Sequence, residues 1–205
     1  MSTIKVNTIE NRNGSNINIG KSGTTVGFVA GTTVDFSTNS PTLTGVATVN
    51  GITEADQWRL TTSFSGNADP IASNLERVDT NGFSVLGIGM TESSGVFTFP
   101  STGYWWVFAS YTLDEEGSGT DNEITGEIQF SSDGGSGWGK SLYTNGFMNT
   151  TNATLTITGD FIFDITNTST HKVRFSVTGN AASNRVIGNT SSNQTWFTFI
   201  RLGDT

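Results

Sequence analysis

Aromatic residues are confined almost entirely to one part of this chain. It has 14 Phe, 5 Trp and 3 Tyr, yet up to Gln57 only Phe28 and Phe36 occur. Aromatic side chains carry the largest apolar surface per residue, so a core of ordinary size is expected only from Trp58 onward. Residues 1–57 must find their order in another way.

That first region reads as short strands and turns. Ile4, Val6 and Ile9, then Ile17 and Ile19, then Val26 and Phe28 give narrow alternating stripes. Gly23-Thr24-Thr25-Val26-Gly27-Phe28 returns as Gly31-Thr32-Thr33-Val34-Asp35-Phe36, two copies of a unit and therefore short of a solenoid. Stripes this thin do not offset roughly 1–2 kcal/mol per residue of backbone ordering. Residues 1–57 are therefore expected to form an anchor or stalk and linker shared between chains, with Val26, Phe28, Val34 and Phe36 as candidate interface residues. Gly51 to Trp58 is the expected joint, where Thr53 is placed to cap one helical turn with Asp56 at its third position.

From residue 58 to residue 205 the pattern is that of an antiparallel sandwich. Val96-Phe97-Thr98-Phe99, Trp105-Trp106-Val107-Phe108, Leu155-Thr156-Ile157, Val173-Arg174-Phe175-Ser176-Val177 and Thr195-Trp196-Phe197-Thr198-Phe199-Ile200 are strand-like runs. Asn81-Gly82, Asp133-Gly134-Gly135, Asn145-Gly146 and Gly179-Asn180 supply turn chemistry between them. No segment has the period of a long amphipathic helix, and the fold class is all-β.

Composition narrows the function classes. A formal net charge of -8 repels phosphate backbones and anionic lipid, so neither nucleic acid nor membrane insertion is expected. The absence of cysteine removes thiolate catalysis, thiolate metal sites and disulfides together. Met1 to Glu10 lacks the continuous apolar run of a secretory signal, and no later run is long enough to span a bilayer. Synthesis in a cytoplasm is the expectation.

Gly95-Val96-Phe97-Thr98-Phe99-Pro100-Ser101-Thr102-Gly103-Tyr104-Trp105-Trp106 resembles the G-x-F-x-x-P-x-x-G-x-Y signature of C1q and tumour-necrosis-factor-like knob domains. Leu155-Thr156-Ile157-Thr158-Gly159-Asp160 and Trp196-Phe197-Thr198-Phe199-Ile200 are similar to later elements of the same family. The resemblance implies a jelly roll over residues 58–205, associating as a threefold trimer through aromatic and aliphatic side chains. Tyr104, Trp106 and Phe108 share one strand face and are the candidates for either the symmetry axis or the core. The opening Ser2 to Ile9 and the closing Phe199 to Thr205 also resemble the ends of small fibre-like virion proteins of tailed phages.

Candidate chemistry is sparse. His171, the single histidine, sits in the polar run Thr168 to Lys172 and reads as a solvated turn residue rather than a base. Asp114-Glu115-Glu116, with Asp121 and Glu123, can gather oxygen ligands for calcium, but the spacing matches no defined loop and a solvated loop is preferred. Glu123 and Glu127 would share a strand face, yet nothing opposes them across a sugar site. Trp138, in a glycine-rich loop, packs over the sandwich end or stacks on a sugar.

The sequence reading is therefore a non-enzymatic homotrimer without cofactor, catalytic residue or metal. It is expected in a virion, assembled in the host cytoplasm, beside a major capsid protein or tail proteins. Capsid decoration (cement) protein and short tail fibre remain open placements. The alternative is an adhesin whose knob grips host surface glycan through Trp138, Tyr143, Asp114 and Glu115.

Overall fold

The computed structural model describes residues 51–115, 123–148, 152–180 and 182–205. Val26, Phe28, Val34 and Phe36 lie outside the described residues. So does the expectation of a shared N-terminal stalk.

Two antiparallel sheets carry the described chain. The first contains β1 (Ala55–Leu60), β2 (Phe64–Ser65), β3 (Leu75–Arg77), β6 (Gly103–Glu115), β9 (Thr154–Ile165), β11 (Asn184–Val186) and β12 (Trp196–Gly203). The second runs β4 (Thr91–Ser93), β5 (Val96–Thr98), β10 (Lys172–Thr178), β7 (Glu123–Ser131), β8 (Gly139–Phe147). Sequence neighbours repeatedly lie in different sheets, which is the winding of a jelly roll.

β6 organises the first sheet. One of its edges pairs with β9 from Gly103 to Asp114. The other pairs with β12 from Tyr104 to Ser110 and then with β11 from Leu113 to Glu115. Alternation along β6 sends Trp105, Val107, Ala109, Tyr111 and Leu113 into the core, where all are fully buried. Across from them Phe97 sits at the hub of an aromatic cluster. Its ring centroid lies 5.4 Å from Trp58, 5.5 Å from Phe175 and 5.1 Å from Phe199. Phe175 and Phe197 stack at 3.8 Å, and each such pair adds about 0.5–1.5 kcal/mol beyond area burial.

The corner motif is built as its residues require. Phe97 and Phe99 are both buried on one face, and Pro100, which has no N–H to donate, lies just beyond the end of β5. Gly103 has φ 137, and a Cβ there would run into the Gly203 carbonyl oxygen and the Arg201 guanidinium. Trp105 stands at the motif's last aromatic position, and its Nε1 donates to Ser101 O at 3.1 Å.

Two local expectations are corrected. Asn145-Gly146 is no turn: both lie inside β8, and Gly146 is small because a Cβ would come within 2.7 Å of Leu155 and Ile157 side-chain atoms. The helical turn at Thr53 to Asp56 is also absent, since β1 begins at Ala55. Asp56 is buried and accepts from Met90 N at 2.7 Å, Trp58 Nε1 at 2.9 Å and Arg77 Nε at 2.9 Å. These long-range partners outweigh a single cap. The turns at Asn81-Gly82 and Asp133-Gly134-Gly135 do form, with φ of 58 and 83 at the first pair.

Candidate functional site: the outward face of the long sheet

The face of the first sheet that points away from the core is unusually apolar. Tyr104, Trp106 and Phe108 alternate with the core residues of β6 and project outward, so the structure excludes the core placement for them. On β12 the register places Trp196 beside Ser110, Thr198 beside Phe108 and Ile200 beside Trp106. On β9 Ile162 lies beside Trp106 and Asp160 beside Phe108. Residues directly opposite one another share a face, so these side chains form one continuous surface across three strands.

The aromatic groups on that surface are fixed. Phe108 lies 4.9 Å from Trp196 and 5.9 Å from Trp106, measured between ring centroids. The Trp106 indole N–H donates to Asp160 Oδ2 at 2.9 Å, which satisfies its one polar atom and orients its apolar body. Tyr104 is 43% exposed, Ile162 54% and Leu202 48%. On the β1 side of the face, Gln57 donates to Thr198 Oγ1 at 2.9 Å and accepts from Asn193 Nδ2 at 2.7 Å. Arg59 next to it is buried and neutralised by Glu76 at 2.6 Å and Asp79 at 2.7 Å. The face therefore grades from apolar at its centre to a charge-compensated polar rim, the anatomy of a protein contact.

The four residues named for glycan binding do not converge. Trp138 folds onto the outer face of the second sheet, with the Arg174 guanidinium 4.3 Å above its ring and its N–H donated to Gly135 O at 3.0 Å. Tyr143 lies on β8 of that same sheet. Asp114 belongs to the outward face of β6 and pairs with Arg185 at 2.6 Å. Glu115, one residue further, turns inward and is buried.

The candidate acid and base residues have structural partners. Glu127 is fully buried, ion-paired with Lys140 and hydrogen-bonded by Gln129 Nε2 at 2.7 Å. That pairing raises the Lys140 ammonium above its ordinary value. Glu123, on the same strand face as expected, accepts from Asn145. His171 is not simply solvated: its ring sits edge-on to Phe130 at 5.2 Å. Among the described residues no group of three His, Cys, Asp or Glu is placed to hold a metal.

Sequence reasoning missed Trp196, Ile162 and Ile200 as members of the outward face. The alternation of Trp196-Phe197-Thr198-Phe199-Ile200 shows two faces, and only the register against β6 tells that Trp196, Thr198 and Ile200 are the outward set.

No protein-family model and no curated protein matches this sequence. Solved structures do. Murine APRIL at pH 5.0 aligns with TM-score 0.52 and 10% identity over 73% of this chain and 98% of its own. An Eiger TNF from S. frugiperda aligns with TM-score 0.54 and 12% identity over 74% of this chain and 93% of its own. The globular domain of zebrafish complement 1qA covers 74% of this chain at 14% identity, with TM-score 0.49. The likenesses to APRIL and to Eiger TNF show that the described part of the chain has a TNF-like jelly-roll fold.

Proposed function

We propose that this protein is a non-enzymatic homotrimer whose knob self-associates through the outward face of the long sheet. The observation that carries the reading is the clustering of Tyr104, Trp106, Phe108, Trp196, Ile200 and Ile162 on one outward face, with Thr198 and Asp160 set among them. Large aromatic groups held on one face and rimmed by satisfied polar groups mark a contact surface. A threefold arrangement is supported by the TNF-like fold; in such a closed ring the face meets a different patch of the next subunit, whereas one patch meeting its own copy would close a twofold dimer.

The role assigned is that of a virion structural component, a capsid decoration protein or short tail fibre. Its support is the likeness of the two chain ends to small virion proteins, together with a net charge of -8 and no cysteine. A non-catalytic role is supported by the engagement of Glu127 with Lys140 and of His171 with Phe130. Light scattering on the full chain tests the assembly: the expected mass is three times the 21.8 kDa of one chain. Phe108→Asp should give a folded monomer, and a wild-type monomer at micromolar concentration would refute the reading. Imaging of phage particles labelled through the C-terminus of this protein tests the virion role.

A further inference from the structure

Residues on the solvent side of an antiparallel sheet are ordinarily polar and wet. On the second sheet they are polar but dry. Glu127 and Ser176 are 0% exposed and Gln129 3%, although their strand neighbours Ile128, Phe175 and Val177 fill the core on the other side. The register sets the outward residues in two rows: Lys140, Gln129 and Arg174 in one, Tyr143, Glu127 and Ser176 in the next.

Their polar atoms are tied to one another. Gln129 Nε2 donates to Glu127 Oε2 at 2.7 Å and to Asp69 Oδ1 at 3.1 Å, while its Oε1 accepts from Arg174 Nε at 2.6 Å. Ser176 donates to the same Asp69 oxygen at 2.8 Å, and Lys140 pairs with Glu127. A network of this kind holds its members in one arrangement, so the polar groups left facing outward are fixed in space. They are Asp69 Oδ2, the Tyr143 hydroxyl and the spare donors of the Lys140 ammonium, none with a hydrogen-bond partner among the described residues.

Aromatic rings border this floor. Tyr143 is 54% and Phe147 66% exposed. Both lie on the outward side of β8, about 13 Å apart along the strand. Trp138 is not a third platform, because Arg174 covers one face of its ring and its N–H is donated within its own loop. Exposed rings beside fixed donors and acceptors suit a ligand with an apolar face and hydroxyl edges, which is a sugar ring. Its C–H groups carry partial positive charge and lie against the negative face of an aromatic ring. Charge then selects the class of sugar. Lys140 and Arg174 are matched by Glu127 and Asp69, and the chain carries a net charge of -8, so the face favours a neutral saccharide over an anionic one. We propose that the outward face of the second sheet binds a neutral oligosaccharide, with sugar rings stacked on Tyr143 and Phe147 and hydroxyls held by Lys140 and Asp69. Of the residues named from the sequence for glycan binding, only Tyr143 takes part. The site lies within one protomer, on the sheet opposite the self-association face.

The test applies the full chain, detected through a C-terminal tag, to an array of neutral and acidic oligosaccharides. The neutral saccharide of strongest signal is then titrated by calorimetry. Wild type should bind it saturably, with one site per chain. Tyr143→Ala should weaken binding about tenfold and Phe147→Ala severalfold. Both remove exposed side chains and should melt close to wild type. Phe108→Asp, altered on the other sheet, should bind as wild type does in the titration. Failure to bind any neutral saccharide, binding to acidic saccharides alone, or undiminished binding in Tyr143→Ala overturns the proposal.

Discussion

Gly126 offers a substitution in which two known effects oppose each other. It lies in β7 with no positive φ, so alanine there should stabilise the strand by about 0.5–1 kcal/mol through lower chain entropy. Yet the face it occupies is inward, and an added Cβ would meet Tyr111 ring carbons at 2.6 and 2.7 Å and Ile157 Cδ1 at 3.2 Å. Tyr111 has nowhere to go. Its hydroxyl donates to Glu127 O at 2.6 Å and its ring packs edge-on to Phe197 at 5.8 Å. Overpacking of a tight core costs about 1–3 kcal/mol, so the clash wins. Gly126→Ala should lose about 1–2 kcal/mol net, or roughly 2–8 °C in melting temperature for a chain of this size. In a Tyr111→Val background the ring is gone and the sign should reverse, with alanine stabilising. Thermal melts of the four proteins in this cycle give the coupling directly. A neutral or stabilising Gly126→Ala in the wild type, or the same effect in both backgrounds, would refute the reasoning.

Other outcomes follow from single contacts. Asp56→Ala removes the shared acceptor of Arg77, Trp58 and Met90 and should cost about 3 kcal/mol, read by urea titration. Tyr111→Phe leaves Glu127 O without its side-chain donor and should cost about 1 kcal/mol. The Tyr111 phenol is pushed well above its ordinary value of 10.0 by burial and then by Glu127, so its absorbance should not titrate at that ordinary value while the protein stays folded. Backbone donation from Gly137 and a hydroxyl donated by Ser131 lower the Asp133 carboxyl. A lowered carboxyl contributes its stability above the ordinary value of 3.8 and loses it as pH falls further. The Gly137 amide should therefore lose protection only as pH falls below 3.8 through the lowered carboxyl, and be unprotected at neutral pH in Asp133→Ala.

Much of the fold is legible in the sequence because alternation is strict where one face is buried. Val96 to Phe99, β10 and the closing strand all read correctly as strands, and Pro100 with Gly103 announces the corner. The face on which β6 buries its residues is less legible. Trp105 and Trp106 are adjacent, one fully in the core and one outward, and a run that is aromatic on both faces carries no sign of which is which. Gly146 shows a second ambiguity: glycine beside asparagine signals a turn, yet here it answers a close approach by Leu155 and Ile157 from a distant strand. Asp56 and Glu115 show a third. Asp56 reads as the third position of a helical turn and Glu115 as part of a solvated loop, and only the tertiary structure reveals that both are buried.

The central claim is that the outward face of β6, β9 and β12 is covered by other copies of the chain. Radical footprinting compares residues within one sample and so tests this most directly. In the isolated protomer Tyr104, Ile162 and Leu202 are about as exposed as Tyr143 at 54%, with Ile88 more so at 74%. At micromolar concentration Tyr104, Ile162 and Leu202 should be protected severalfold relative to the same residues in Phe108→Asp, while Tyr143 and Ile88 label equally in both proteins. Equal labelling of all five residues in the two proteins would contradict the account.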